Sequence, residues 1–122
     1  MRVRASQVFG VEWAASHLIP EVLSTHTHPN YMYRLTALAT IASLASVVGQ
    51  EMLSSTMLPI VLRMGSDPVP NIRFNVAKTL QALLPLFDAA VVQQQVKPRL
   101  AELSEDADKD VQYYAGQALQ FC

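Results

Sequence analysis

The chain has 122 residues, of which 51% are hydrophobic and only 16% charged, with a formal net charge of −1. A typical soluble domain carries about 25% charged residues, so this chain holds more apolar material than water-facing surface to balance it, which excludes intrinsic disorder. No Lys/Arg cluster of the kind that displaces counterions from phosphate backbones is present, so no nucleic-acid partner is expected.

The N-terminal string MRVRASQVFGVEW has two arginines but no continuous apolar run after them, so it does not read as a signal peptide. Residues 1–9 read as the tail of a preceding unit. Phe9 and Trp13, four apart, are expected to pack together, and His17 reads as a helix-face residue. Ile19, Val22 and Leu23 recur at helical spacing, as do Leu35, Leu38 and Ala42 after the breakers Thr27-His28-Pro29-Asn30. The uncharged run from Leu35 to Gln50 is shorter than the roughly 20 residues a membrane helix needs, and Thr36, Thr40, Ser43 and Ser46 interrupt it, so no membrane partner is expected. Gly49 is a natural helix stop. Two further helix pairs follow, with turns at Ser66-Asp67-Pro68-Val69-Pro70 and at Glu105-Asp106-Ala107-Asp108. Asn30, Asn71 and Asp108 are the expected N-caps of the second helices.

The pairs repeat without a gap at a period of 39: Pro20, Pro59 and Pro98; Val22, Val61 and Leu100; Arg34, Arg73 and Gln112; Ile41, Leu80 and Leu119. Leu18, Met57 and Val96 match too, as do Leu35, Phe74 and Tyr113. The repeated proline lies inside the first helix of each pair, where it removes a backbone bond and should bend the helix. Helix pairs of this length cannot bury an apolar face alone and stack on their neighbours. The expected fold is therefore all-α, an α-solenoid of three antiparallel helix pairs with repeats at 10–48, 49–87 and 88–122 behind the remnant 1–9. It reads as a piece of a longer array, with a bare apolar face at the N-terminal end through which self-association is expected.

A 39-residue helix pair with a proline in its first helix, and with Asp67-Pro68-Val69 in the turn followed by Arg73 six residues after the Asp, resembles the HEAT repeat. The strings FGVEWAASHLIPEVL, PNYMYRLTALA, MLPIVLRMGSDPVPNIRFNVAKTLQ and QVKPRLAELSEDADKDVQYYAGQAL resemble the C-terminal repeats of the scaffolding A-subunit family of protein phosphatase 2A. That resemblance implies a non-catalytic scaffold whose intra-repeat turns form a ridge gripping the phosphatase catalytic subunit, and which through other repeats holds it near a regulatory B-type subunit. It implies partner contacts at Tyr31, Arg34 and Val69. The turn residues Pro29, Pro68 and Asn71 complete the candidate set, the prolines by stiffening the turns. Aromatic and arginine side chains are the types enriched at interface hot spots. The first turn departs from the family in carrying Thr27-His28 before Pro29 instead of Gly-Asp, which is expected to leave its arginine without an acid. Tyr33 stands where the family has a more polar residue.

Each residue also has a purely structural reading. An arginine about one helical turn past the loop can reach an Asp of its own or of the next repeat; Asp67 and Arg73 are the expected structural turn pair, and Arg34 is open between structure and partner contact. Tyr31 is open between partner contact and packing on the next turn, whereas Val69, flanked by prolines, is expected to lie outside the core. His26 and His28, two apart, lack a third metal ligand nearby and are expected to be solvated turn residues. Met52, Met57 and Met64 read as core filler. Glu102, Glu105, Asp106, Asp108 and Asp110 read as a solvated acidic face, with attraction to a basic partner as the alternative. The lone Cys122 excludes a disulfide framework and a Cys-rich zinc site, and a cytoplasmic setting, with the nucleus as a second compartment, is expected. The His-Glu dipeptides of a di-iron helical enzyme, a phosphate loop and a nucleophile elbow do not occur, so no enzyme, metal or cofactor is expected. The alternative to a phosphatase scaffold is a HEAT-repeat adaptor for a different protein cargo.

Overall fold

Apolar spacing of three and four, broken by short polar turns, produces three helix hairpins in the computed structural model, which describes residues 19–122. The readings placed on residues 1–18, namely the remnant 1–9, Phe9 with Trp13, His17, Leu18 and the bare N-terminal face, lie outside the described residues. Helix α1 (Ile19–Thr25) pairs with α2 (Tyr31–Val48). Helix α3 (residues 50–64) pairs with α4 (Pro70–Leu83), which ends in a 3-10 turn at Leu84–Leu86. Helix α5 (residues 89–103) pairs with α6 (Lys109–Leu119). No strand occurs among the described residues.

The helix starts follow the 39-residue register. Asn30 caps α2 by accepting from the Met32 N–H, and Asp108 caps α6 by accepting from the N–H groups of Asp110 and Val111. Asn71 is not the cap of α4: Val69 holds that place, 39 residues from both Asn30 and Asp108, with Pro70 beginning the helix. Proline at the first helical position has no N–H to satisfy, so a side-chain acceptor is dispensable there. Asn71 instead receives the Asn75 amide at 2.7 Å on both its carbonyl and its Oδ1. Gly49, at φ 84°, ends α2 and leads into α3.

Pro59 and Pro98 are accommodated by a local widening of the helix. A proline ring clashes with the carbonyl four residues back, and each of these prolines is preceded by a π-helical turn, Leu53–Met57 in α3 and Val92–Val96 in α5. Just before each proline the bond reaches five residues back, from the Leu58 N–H to the Leu53 carbonyl and from the Lys97 N–H to the Val92 carbonyl. The extra residue moves the offending carbonyl aside while the helix continues.

The second helices carry the stack, with α4 packed against both α2 and α6. Repeat-equivalent positions are buried together: Val22, Val61 and Leu100; Ala37, Val76 and Ala115; Met57 and Val96. Helix α4 buries Ile72, Val76, Ala77, Leu80 and Leu83, and each large aliphatic side chain so buried contributes about 1.5–3 kcal/mol. Met57 and Met64 are core residues and Met52 packs on their edge. The third pair departs by one position. Leu35 and Phe74 are partly buried, Tyr113 is exposed, and Tyr114 stacks on Phe74 with ring centroids 5.4 Å apart.

Candidate functional site: a ridge of three stapled turns

Two residues before each second-helix cap, a side chain accepts the cap residue's backbone N–H. Asp67 Oδ1 accepts from Val69 and Asp106 Oδ1 from Asp108, both at 2.9 Å, and His28 Nδ1 accepts from Asn30 at 3.0 Å. Six residues after this acceptor comes the side chain that joins one turn to the next. Arg34 donates through Nε and Nη2 to the Asp67 carboxylate at 2.6 and 3.0 Å, and through Nη1 to the carbonyls of His28 and Pro29 at 2.9 and 3.1 Å. Arg73 repeats the geometry 39 residues later. Its Nε and Nη2 reach Asp106 at 2.8 and 3.1 Å, and its Nη1 reaches the carbonyls of Asp67 and Pro68 at 2.8 and 3.1 Å. Each guanidinium thus closes its own turn through carbonyls and grips the following turn through a bidentate carboxylate, the strongest form of such a contact. Gln112, in the third position of the column, donates to the Asp106 carbonyl.

This ladder corrects two expectations. Asp67 and Arg73 are not paired through their charges, because the Arg73 fork spends one nitrogen on its own turn's carbonyls and directs the rest forward. Arg34 does not lack an acid, since Asp67 of the next turn supplies it, and the side chains of this pair are only 12% and 7% exposed. Arg34 is thereby turned into the stack. Two members of the acidic segment are structural, Asp106 as a rung and Asp108 as a cap, whereas Glu102, paired with Arg99 at 2.9 Å, Glu105 and Asp110 are exposed, as a solvated face requires. Burial pushes the Asp106 carboxyl up, but the Arg73 hydrogen bond, the Asp108 N–H and the Arg73 charge outweigh it and hold the group below its ordinary value.

The remaining candidates separate by exposure. Tyr31 is 39% exposed, Met32 52% and Tyr33 51%, a run of large side chains at the start of α2; Pro29 and Pro68 are also exposed. Asn71 is half-buried, and Val69, expected outside the core, packs partly buried against it. The Tyr33 ring lies 4.3 Å from that of His28. His26 is not solvated: it is buried, its Nδ1 stands 3.2 Å from the Val22 carbonyl and its Nε2 has no hydrogen-bond partner. Arg99, overlooked in the sequence, reinforces the ridge from behind by donating to the Leu62 carbonyl at 2.9 Å and to Ser66 Oγ at 2.5 Å.

A cleft of about 300 Å³ separates the first two turns, lined by His26, His28, Arg34, Arg63, Ser66 and Asp67 among others. A larger groove of about 710 Å³ lies along α4 and α6, with Lys78, Leu84, Pro85, Tyr114 and Phe121 on its walls. Among the described residues no three His, Cys, Asp or Glu side chains are grouped to hold a metal ion, and no helix is long and apolar enough to cross a membrane.

Comparison with known proteins agrees with this architecture. A family model described as HEAT repeat matches residues 57–87. The regulatory A subunit of protein phosphatase PP2A from Saccharomyces cerevisiae is 30% identical over 128 residues, covering 98% of this chain and 20% of that protein. The protein of the same name from Schizosaccharomyces pombe is 41% identical over 76 residues, covering 62% of this chain and 13% of that protein. A Drosophila melanogaster serine/threonine-protein phosphatase PP2A 65 kDa regulatory subunit is 53% identical over 49 residues, covering 40% of this chain and 8% of that protein. The chain spans a fifth or less of the length of these relatives.

Proposed function

Because this chain is an α-solenoid of HEAT repeats similar to the regulatory A subunits of protein phosphatase 2A, we propose that it is a non-catalytic scaffold segment whose turn ridge docks a protein phosphatase catalytic subunit. In the same reading it serves, through further repeats of a full array, to hold that subunit near a regulatory B-type subunit, in a cytoplasmic setting. The observation that supports the docking role is the ladder. Arg34–Asp67 and Arg73–Asp106 fix three turns in register, so the ridge meets a partner without first having to order its loops. Tyr31 and Met32, exposed beside it, supply the large contact surface on which interfaces depend.

The test is binding of purified phosphatase 2A catalytic subunit to the immobilised chain. Tyr31→Ala combined with Met32→Ala leaves the ladder intact, and we expect it to weaken binding about tenfold, the size of a moderate hot-spot loss. Unchanged affinity in that variant, with an unchanged melting curve, rejects the assigned ridge. Absence of binding by the wild-type chain rejects the docking role for this segment.

A further inference from the structure

The three turns make the same bond with chemically different acceptors, and we propose that the first turn is for that reason a pH-responsive element, closed when His28 is neutral and opened when its imidazole gains a proton. In the second and third turns the cap residue's N–H is received by a carboxylate oxygen, of Asp67 and Asp106. In the first it is received by His28 Nδ1 at 3.0 Å. A neutral imidazole has one acceptor nitrogen and one N–H, so this bond requires the proton to sit on Nε2. A doubly protonated ring has two donors and no acceptor, which sets N–H against N–H at the turn. Imidazole changes charge between pH 5 and 8, a range over which an ordinary carboxylate stays ionised.

The groups that face His28 come from α2, the second turn and the ends of α1 and α3. From α2, the Tyr33 ring lies against the imidazole and the Arg34 guanidinium holds the His28 carbonyl at 2.9 Å. From the second turn, the Asp67 carboxylate is already occupied by Arg34. Across the cleft stand Arg63, at the end of α3, and His26, just beyond α1. Two guanidiniums and one committed carboxylate leave no free anion among these groups for His28 to meet. His28 is only part-buried, so the proton has access. Asn30, whose N–H is released, is also the cap of α2: its Oδ1 accepts from Met32 at 2.9 Å and its carbonyl from Tyr33 at 3.1 Å. Opening the turn therefore loosens the residues that carry Tyr31, Met32 and Tyr33. If the ridge docks a catalytic subunit, which rests on the function proposed above, acidification weakens the grip at the first turn and leaves the other two unchanged.

The molecule contains its own controls. Amide exchange of the full chain, followed by NMR at pH 7.5 and 5.5 and expressed as protection factors, should show Asn30 losing protection by roughly three- to tenfold at the lower pH, while Val69 and Asp108 hold theirs. His28→Asp should abolish the difference, and His26→Gln should retain it. The proposal is overturned if Asn30 tracks Val69 and Asp108 in the wild type, if the loss survives His28→Asp, or if it disappears in His26→Gln. The core amides of Val76 and Leu80 in the same spectra report whether each variant is folded, and the wild-type comparison decides the question without any variant. No partner is present, so failure here is distinct from failure of the docking role.

Discussion

Arg73 donates through two nitrogens to Asp106 and through the third to the carbonyls of Asp67 and Pro68, so one guanidinium closes one turn and anchors the next. A lysine has no such fork and serves only one of these tasks. The pair is partly open to solvent, with side chains 17% and 14% exposed, which screens it, and Asp106→Asn is expected to destabilise the fold by about 1 kcal/mol at pH 7. The pH dependence has a definite sign. The Asp106 pKa is lowered from its ordinary 3.8, so its stabilisation is fully present above about pH 4 and is lost as pH falls through the lowered value. Urea unfolding should show wild type and Asp106→Asn separated at pH 7 and converging toward pH 2.5; a constant gap contradicts the assignment. The columns of this ladder were legible in the sequence, with Arg34, Arg73 and Gln112 in one and His28, Asp67 and Asp106 in the other. The pairing was not, because an arginine so placed can reach an Asp of its own turn or of the next, and only the stacking of the turns shows that the guanidinium points forward. That His28 stands where the family has an aspartate was readable too; that its Nδ1 takes over the aspartate's acceptor role was not, because that depends on the ring's orientation in the folded turn.

At the scale of the helix, two glycines are required for different reasons. Gly49 joins α2 to α3 at φ 84°, and a Cβ added there meets nothing within 4 Å. With ψ 162° this is the positive-φ extended region that is essentially confined to glycine, so Gly49→Ala carries a backbone penalty of about 1–3 kcal/mol, visible as a lower melting temperature with unchanged spectra. Gly65, at the end of α3, has an ordinary helical φ of −63°, but a Cβ there lies 2.7 Å from Arg99 Nε. The arginine must withdraw and release the Leu62 carbonyl and Ser66, so Gly65→Ala is expected to cost about 1 kcal/mol through lost hydrogen bonds. In an Arg99→Ala background the same substitution should be nearly neutral, and a double-mutant cycle measures that difference. Additive effects refute the contact. The Gly49 stop was readable from its place between two periodic runs. The role of Gly65 was not, because its partner lies 34 residues away on the next repeat. The prolines show the same limit: their recurrence marked where the first helices must yield, but the π-helical turns that accommodate them depend on carbonyl positions that spacing does not specify.

Stacked helix pairs derive stability from their own packing and from the interfaces with their neighbours, so the position of a lesion along the stack should decide how far it spreads. Helix α4 packs against both α2 and α6, and Leu80, fully buried on it, is the repeat equivalent of Ile41. Leu80→Ala removes contacts at the only one of the three second helices with a described neighbour on each side, and a loss of about 2–5 kcal/mol is expected. Leu103 is almost as buried but sits on α5, in the last hairpin, where truncation removes a similar volume from one end of the stack. The two variants should therefore differ in pattern more than in size. With Leu80→Ala, hydrogen exchange should accelerate together in α2, α4 and α6, because the middle hairpin no longer couples the outer two. With Leu103→Ala, acceleration should be confined to α5 and α6, while α2 keeps its protection and the Arg34–Asp67 rung stays closed. Equal acceleration of all three hairpins in both variants is the signature of a single cooperative globule, and observing it would exclude the nearest-neighbour account of this stack.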